Sequence, residues 1–195
     1  MKLVSLLEKL EYTCLQGSTD QEVKNVIYDS RKVEEGSLFI CIRGAVVDGH
    51  KFVPDVIAKG AKVLVVEEAV EAPEDVTVIL VKDTRYAMAF ISAAYFGHPA
   101  DKLKTIGITG TKGKTTTTYM VKSILENAGY KVGLIGTIEA IIGDKVIPAK
   151  NTTPESYMIQ EYFHEMVEAG CDCVVMEVSS QGLMLHRTQG FVFDF

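Results

Sequence analysis

The sequence predicts an α/β protein made of two consecutive units, the second of which has a mostly parallel sheet. Three observations support this class. Short apolar runs alternate with helical patterns between residues 25 and 96, as is typical of strands joined by helices. A glycine loop separates an apolar run from a helical pattern in GITGTKGKTTTT, residues 107–118. Hydrophobic residues make up 47% of the 195 positions, which is enough for one sizeable core or two modest ones.

The first unit contains three apolar runs of strand length. They are LFICI at 38–42, AKVLVVEE at 61–68 and VTVILVKD at 76–83. Helical spacing is found in HKFVPDVIAKG at 50–60 and in TRYAMAFISAAYFG at 84–97. These patterns predict a small α/β domain.

A cluster of Gly, Pro and Asp marks the boundary between the units. It lies in FGHPAD, residues 96–101, between a predicted helix and a predicted strand. We therefore predict two domains, at residues 1–99 and 100–195.

The second unit begins with a strand, a loop and a helix. The strand is predicted at 103–109, the turn at 110–113 and the helix at 114–128, where Gly129 ends it. Another strand follows at 131–138. The apolar face of the helix is predicted to be Met120, Val121, Ile124, Leu125 and Ala128.

A hairpin and a second helix come next. The run IIGDKVI is expected to turn at Gly143-Asp144. Thr153 is expected to cap a helix that has Pro154 at its first position and ends at Gly170.

Two further apolar runs are predicted to be strands. The first is buried, at 173–178, and the second is FVFDF at 191–195. Nothing follows the second run to complete the sheet. We therefore expect these residues to be the front part of a longer protein.

Charge and the amino terminus exclude several classes of protein. A net charge of -6 and a pI near 5.3 argue against a nucleic-acid surface, which needs a basic field. Glu8 and Glu11 interrupt the short apolar start, so we expect no signal peptide, no membrane insertion and a cytoplasmic location. The cysteines form no C-x-x-C pair and the histidines show no metal-ligand spacing, so we expect buried thiols.

The glycine loop carries the first chemical signal. The general phosphate-loop pattern G-x-x-x-x-G-K-[ST] requires glycine where Ile108 stands, so the chain has a shorter form at 110–116. Backbone N–H groups at a helix N-terminus suit a polyphosphate. We expect Lys114 to reach the terminal phosphates and the Thr115 hydroxyl to take a Mg²⁺ position. The alternative is a glycine turn beside a surface lysine.

A carboxylate at the end of the run CVVMEV is the second signal. Glu177 stands where ligands collect in open α/β sheets, outside the carboxyl ends of the strands. Mg²⁺ is usually held by one or two carboxylates together with substrate phosphates, so we expect Glu177 to share a site with Thr115. The alternative is a solvated glutamate at a strand end.

A polar turn before the second helix is the third signal. Three hydrogen-bonding side chains precede proline in Asn151-Thr152-Thr153-Pro154. Such a turn at a helix start is a natural cradle for an anionic or sugar group. The same composition is also common in an ordinary loop and cap.

A turn in the first unit is the fourth signal. Asp29-Ser30-Arg31 follows a predicted strand. Tyr28 and Ser30 are candidates for holding a planar base and a phosphate or sugar. The composition is also that of a common turn.

Together these motifs resemble the Mur ligases. The motifs TGTKGKTT, NTTPES, MEVSS and HR follow DSR, G-x-L-F-x-x-x-x-G and D-G-H-x-F between about Val26 and Phe195. The set is most similar to the MurE type, whose members add the third amino acid of the peptidoglycan stem peptide to UDP-N-acetylmuramoyl-L-alanyl-D-glutamate. The shortened glycine loop is also that family's form.

The resemblance implies an ATP-dependent ligase with a small UDP-binding domain and the first part of a P-loop, Rossmann-like central ATPase domain. In that chemistry the substrate carboxylate becomes an acyl phosphate, and the amine of a diamino acid displaces phosphate. Lys114 and Glu177 are the implied catalytic residues, and Thr115 with Glu177 would hold Mg²⁺. The implied ATP-binding residues are Gly110, Thr111, Lys112, Gly113, Lys114, Thr115 and Thr116. The UDP-substrate set is Tyr28, from the turn above, with Ser30, Asn151, Thr152, Thr153, Ser179 and Arg187.

Two positions depart from the family's pattern. Gln181 stands where His is common, so we assign no catalytic role there. Lys112 replaces a frequent Asn and adds a charge beside the phosphates.

The family's carbamylated lysine and the domain that selects meso-diaminopimelate, L-lysine or another amino acid would lie after Phe195. We therefore expect the chain alone to catalyse no ligation.

Three other interpretations stay open at this point. A P-loop kinase or simple NTPase explains Lys114 and Thr115, but gives no reason for the N-T-T-P turn. A non-catalytic UDP-sugar-binding module is the second. Sister ligases, which include folylpolyglutamate synthases and the alanine- and glutamate-adding Mur enzymes, share the glycine loop and are the third.

Overall fold

The computed structural model describes residues 1–44 and 47–195 of the chain. It divides into two compact units, Met1–Tyr95 and Phe96–Phe195. This division lies slightly upstream of the predicted boundary after Pro99. Within the described residues, no helix is both long and apolar enough to cross a membrane.

The first unit is a five-stranded sheet with helices packed on it. Its strands run in the order β1-β5-β4-β3-β2, in which β2 to β5 are parallel and β1 is antiparallel to β5. The elements are α1 (Leu3–Leu6), β1 (Thr13–Gln16), β2 (Asn25–Ile27), β3 (Ser37–Ile40), α2 (Val53–Ala58), β4 (Val63–Val66), β5 (Thr77–Leu80) and α3 (Thr84–Tyr95).

The central strands of the first unit are buried on both faces. Every residue of β3 and β4 is buried. Parallel strands covered on both faces read as continuous apolar runs rather than alternating ones. This explains why the three apolar runs of the first unit predicted its strands. The predicted helix at 50–60 is shorter in the structure, because residues 49–52 form a 3-10 turn before α2 begins at Val53.

The second unit has a mixed sheet. Its order is β6-β10-β7-β8-β9, with β10 parallel to both β6 and β7, and with β7, β8 and β9 antiparallel. The elements are β6 (Lys104–Ile108), α4 (Lys114–Asn127), β7 (Val132–Ile135), β8 (Glu139–Ile142), β9 (Lys145–Pro148), α5 (Ser156–Glu168), β10 (Cys173–Glu177) and α6 (Ser180–Met184). The predicted α/β class is confirmed.

The two long helices of this unit pack differently against the sheet. On one side, α5 belongs to a core that includes Phe163 and Met176. On the other, Val121 and Leu125 of α4 pack against Val175. The predicted apolar face of α4 is partly wrong, since Met120 is 59% exposed and Ile124 is 65% exposed.

The carboxyl-terminal run is not a strand, contrary to the prediction. Two of its residues bond to the main chain of β6, through Asp194 N–H to Thr105 O at 2.9 Å and Gly107 N–H to Phe195 O at 2.9 Å. The Asp194 carboxylate accepts the Thr105 N–H at 2.8 Å. The Asp194 side chain thus accepts a main-chain N–H of β6 that would bond to a main-chain oxygen if residues 191–195 formed a strand.

The cysteine prediction holds at three of four positions. Cys41, Cys171 and Cys173 are buried free thiols, whereas Cys14 is exposed. Burial is the main cause that raises the pKa of the Cys41 thiol to about 12. A thiol with such a pKa is inert at neutral pH.

Candidate active site

The glycine loop lies between the end of β6 and the start of α4. Gly113 immediately precedes the helix with φ of 82°, in the left-handed region that favours glycine. The space that a side chain at Gly113 would occupy is open to a distance of 4 Å. No side chain caps this end of the helix, so its first N–H groups have no side-chain cap there. A polyphosphate fits this arrangement of donors.

Lys114 lies across the loop. Its ammonium group donates a hydrogen bond to the main-chain oxygen of Gly110 at 2.8 Å. The other loop side chains, Thr111, Lys112 and Thr116, are exposed. The positive charge of Lys114 is therefore held close to the main chain of the glycine loop, which is the predicted binding site for an anion.

Glu177 is buried at the carboxyl end of β10, with only 1% of its surface exposed. Its Oε2 accepts hydrogen bonds from the hydroxyls of Thr115 and Thr137, both at 3.0 Å. Its Oε1 accepts the Thr137 N–H at 2.9 Å. Glu177 is therefore not a solvated strand-end residue, because its carboxylate accepts three hydrogen bonds, from α4 and from the segment after β7.

The Thr115 hydroxyl and the Glu177 carboxylate suit a magnesium ion. Mg²⁺ takes oxygen ligands and is commonly held by one or two carboxylates together with substrate phosphates. The two side chains meet at the first turn of the helix that follows the glycine loop, since Thr115 is the second residue of α4. The donor set therefore fits a Mg²⁺ that also binds phosphate oxygens.

Tyr119 of α4 lies close to two carboxylates, those of Glu139 and Glu177. The Tyr119 hydroxyl donates to Glu139 Oε1 at 2.7 Å. Burial, this hydrogen bond and the negative charges of Glu139 and Glu177 raise the pKa of Tyr119 to about 12. Tyr119 is therefore a neutral hydrogen-bond donor at neutral pH.

Thr153 does not cap the helix that follows it, contrary to the prediction. The helix begins later, at Ser156, after an N-cap residue that makes no side-chain cap. The Thr153 hydroxyl instead donates to the main-chain oxygen of Glu177 at 3.0 Å and accepts the Ser179 N–H at 2.9 Å. One buried hydroxyl thus ties the N-T-T-P turn to the end of β10.

The predicted substrate residues of the second unit surround one polar cavity of about 290 Å³. Thr137, Lys150 and Gln181, all exposed, also line it and were not among them. Lys150 is adjacent in sequence to the predicted turn, so proximity alone could have suggested it. The cavity is lined by Thr137, Lys150, Asn151, Thr152, Thr153, Ser179, Gln181 and Arg187.

Arg187 and Ser179, which line this cavity, also have structural partners. Arg187 donates to the main-chain oxygen of Thr153 at 3.0 Å and to Glu155 Oε1 at 2.7 Å. The Ser179 hydroxyl accepts the Gly182 N–H at 3.0 Å, as the N-cap of α6. Sequence reasoning missed the Glu155 partner, which balances the charge of Arg187.

A second cavity, of about 430 Å³, lies in the first unit. Tyr28 and Ser30, both predicted from the sequence, line it. Phe39 and Phe52 also line it; both belong to motifs that carry the family resemblance, G-x-L-F-x-x-x-x-G and D-G-H-x-F, although neither was predicted as a site residue. Its lining is Tyr28, Asp29, Ser30, Arg31, Phe39, Ile42, Val47, Gly49 and Phe52. Aromatic rings and a serine hydroxyl can hold a planar base and a sugar or phosphate.

The turn at this cavity is fixed by an ion pair. Asp29 accepts two hydrogen bonds from the Arg31 guanidinium, at 2.8 and 2.7 Å, and one from the Arg31 N–H at 3.1 Å. The hydrogen bond from the Arg31 side chain is the largest cause that lowers the pKa of Asp29 to about 2. Lys59 donates to the main-chain oxygen of Ser30 at 2.8 Å.

Family models match both units. A model of the Mur ligase middle domain matches residues 108–195, and a model described as Mur ligase family, catalytic domain, matches residues 22–96. The chain belongs to the Mur ligase family. This confirms the resemblance seen in the sequence motifs.

Individual Mur ligases show the same relationship. The chain is 53% identical over 194 residues to a UDP-N-acetylmuramoyl-L-alanyl-D-glutamate–2,6-diaminopimelate ligase of Clostridium perfringens, covering 100% of this chain and 40% of that protein. A solved ligase with the same substrate name has a TM-score of 0.79 at 21% identity, over 98% of this chain and 38% of that one. MurF of Thermotoga maritima, solved with ADP, has a TM-score of 0.51 at 21% identity, over 81% of this chain and 32% of that one.

The last two matches show the shared Mur ligase fold. The chain spans about 40% of the length of the curated relatives that it matches.

Proposed function

We propose that this Mur ligase chain serves the ATP-dependent joining of a diamino acid to UDP-N-acetylmuramoyl-L-alanyl-D-glutamate in peptidoglycan synthesis. The names of its curated relatives support diaminopimelate as the amino acid added. From the sequence, that choice was open between meso-diaminopimelate, L-lysine and others.

One observation carries this proposal furthest: the contact between Thr115 and Glu177. It joins the glycine loop to the carboxyl end of β10 through a hydrogen bond of 3.0 Å. A surface glycine turn has no need of a buried carboxylate beside its helix. A phosphate loop that uses Mg²⁺ needs both oxygens in this position.

The proposed reaction has two balanced steps. ATP supplies its γ-phosphoryl group to a carboxylate oxygen of the D-glutamyl residue, and ADP leaves. The amine nitrogen of the diamino acid then attacks the carbonyl carbon, the bond from that carbon to the phosphate oxygen breaks with its electron pair, and the amine loses a proton. The products are an amide, ADP and phosphate.

The residues of this chain would bind and orient the reactants. The backbone of Gly110 to Thr116 would hold the ATP phosphates, and Lys114 would neutralise the charge that moves between them. Thr115 and Glu177 would hold Mg²⁺. The polar cavity that includes Asn151 would position the peptide end of the substrate.

The cavity of the first unit would hold the uridine diphosphate portion. Tyr28 and Ser30 carry this assignment, through the aromatic ring and the hydroxyl that line the cavity.

A grafting experiment tests the ligase reaction. The matched portion of the Clostridium perfringens ligase is replaced by this chain, and phosphate release from Mg-ATP is measured with and without the UDP-dipeptide. Each assay contains meso-diaminopimelate, the amino acid named for that ligase, because the domain that selects it comes from the Clostridium perfringens part. We expect release that requires the UDP-dipeptide. Release that is indifferent to the UDP-dipeptide would instead indicate a simple NTPase.

A binding experiment tests the chain by itself. Calorimetric titration with ADP, in the presence and absence of Mg²⁺, and separately with the UDP-dipeptide, should show both ligands binding. If the UDP-dipeptide binds but ADP does not, the chain is a non-catalytic UDP-sugar-binding module, and the assignment of the glycine loop to ATP is wrong.

A further inference from the structure

Thr137 lies next to Glu177 because of how the strands pair. It follows β7 by two positions, and β7 is parallel to β10 with Ile135 opposite Met176. The carboxyl ends of these neighbouring strands therefore bring the two residues together, although 40 positions separate them in the chain. Neither the motifs nor the family resemblance assigned a role to Thr137.

Thr137 binds both oxygens of the carboxylate. Its N–H donates to Glu177 Oε1 at 2.9 Å, and its hydroxyl donates to Oε2 at 3.0 Å. Two donors from one residue fix the plane of a carboxylate, as bidentate contacts do elsewhere. The oxygen Oε2, which Thr115 also contacts, is thereby held on the side of the glycine loop.

Gly136 supports the same close approach. A side-chain carbon at this position would lie 2.5 Å from Glu177 Oε1, which is far inside van der Waals contact. The backbone before Thr137 therefore leaves room for the carboxylate only because residue 136 is glycine.

The hydroxyl of Thr137 also reaches the polar cavity. It lies 3.0 Å from the hydroxyl of Thr152. Thr137 has one hydroxyl proton, and an ionised carboxylate can only accept. Thr152 is therefore the donor in this pair. The chain of donors runs from Thr152 through Thr137 to Glu177, and it joins the substrate turn to the predicted metal ligand.

We propose that Thr137 is a positioning residue, which holds the Glu177 carboxylate so that it shares a Mg²⁺ with Thr115 beneath the bound nucleotide. Mg²⁺ demands near-ideal octahedral geometry, so the orientation of each ligand oxygen matters. Groups that orient metal ligands from behind commonly change metal affinity by about 10–100-fold when they are removed. The proposal rests on the proposed function, because it assumes that Mg²⁺ and nucleotide bind here.

The test measures how much Mg²⁺ strengthens ADP binding to the purified chain. The quantity is the ratio of the ADP Kd without Mg²⁺ to the Kd at saturating Mg²⁺. Thr137→Val keeps the shape and the main-chain hydrogen bond but removes the hydroxyl. We expect the ratio to fall about tenfold or more, with the Kd of metal-free ADP nearly unchanged.

Two further variants separate positioning from folding. Thr137→Ser retains a hydroxyl, so it should restore most of the ratio. Gly136→Ala removes no hydrogen-bonding group but pushes on Glu177 Oε1, so it should lower the ratio as Thr137→Val does. Thr13→Val is the matched control, since Thr13 is an exposed threonine on β1 of the other unit.

The outcomes distinguish this proposal from the one on which it rests. A wild-type chain whose ADP binding ignores Mg²⁺ would overturn both. If Mg²⁺ strengthens ADP binding to the unaltered chain, and Thr137→Val has the same ratio of ADP Kd values, only the positioning role of Thr137 is overturned. A lower thermal midpoint with an unchanged ratio would assign Thr137 a purely structural role, and so would also overturn it.

Discussion

The Thr115 hydroxyl donates to the Glu177 carboxylate at 3.0 Å, although 62 positions separate the two residues. The contact exists because β6, which leads into the glycine loop, is the parallel neighbour of β10, which ends at Glu177. Parallel strands place their carboxyl ends at one edge of the sheet, where α/β proteins bind ligands. This edge is where nucleotide and metal binding are predicted to meet.

Replacing Lys114 by methionine should weaken nucleotide binding and spare the UDP-substrate. A charge-assisted hydrogen bond contributes about 1.5–3 kcal/mol, which corresponds to about a tenfold to hundredfold rise in the ADP Kd. Calorimetric titration of both ligands measures the two effects. Lys102→Met, at an exposed lysine, is the control. Equal losses for ADP and the UDP-dipeptide would show that the two sites are misassigned.

Replacing Ser30 by alanine should have the opposite selectivity. Ser30 lines the cavity of the first unit, so loss of its hydroxyl should raise the Kd of the UDP-dipeptide about fivefold to tenfold, the effect of one hydrogen bond. The Kd of ADP should not change. Ser5→Ala, at an exposed serine, is the control for the same titrations. Unchanged affinity for the UDP-dipeptide would remove Ser30 from the substrate site.

Replacing Arg187 by methionine should lower the stability of the fold, in addition to removing any contact that Arg187 makes with the substrate. Only 12% of the Arg187 side chain and 20% of the Glu155 side chain are exposed. The substitution leaves Glu155 and the main-chain oxygen of Thr153 without this donor, at a cost of about 1–3 kcal/mol. Urea unfolding measures the loss.

A double-mutant cycle with Glu155→Gln isolates the ion pair. The double variant should be more stable than the sum of the two single losses predicts. Strict additivity would mean that the pair contributes nothing to the stability of the fold.

The Asp29 carboxyl should titrate near pH 2. The Arg31 guanidinium lowers its pKa from 3.8 to about 2, so the folded chain favours the ionised form. The resulting stabilisation is present above about pH 4 and is lost as the pH falls toward 2. Carboxyl carbon chemical shifts measure the midpoint. In Arg31→Met the midpoint should rise toward 3.8, and a midpoint that stays near 2 would contradict the assigned cause.

Salt should weaken this effect of Arg31. Its side chain is 86% exposed, and exposed ion pairs are screened. The Asp29 midpoint should therefore rise with ionic strength, as the same chemical shifts can show.

Local patterns in the sequence were sufficient for most of the fold. The apolar runs of β3, β4 and β10 are buried strands because both faces of a parallel sheet are covered, which leaves a continuous hydrophobic signal. Gly113 marked the loop because only glycine takes its positive φ easily. The same short-range rules wrongly predicted a strand at FVFDF. An apolar run does not reveal that the Asp194 side chain will accept the Thr105 N–H of the neighbouring strand.

The sequence by itself determined the class of the fold, the glycine loop that contains Lys114 and Thr115, and the family, because each depends on residues close together in the chain. Only the tertiary structure decided which distant residues meet. It buried Glu177 among three donors, redirected the Thr153 hydroxyl from a helix cap to β10, and paired Arg187 with Glu155. The pairing of parallel strands aligns their carboxyl ends, and no local pattern encodes that alignment.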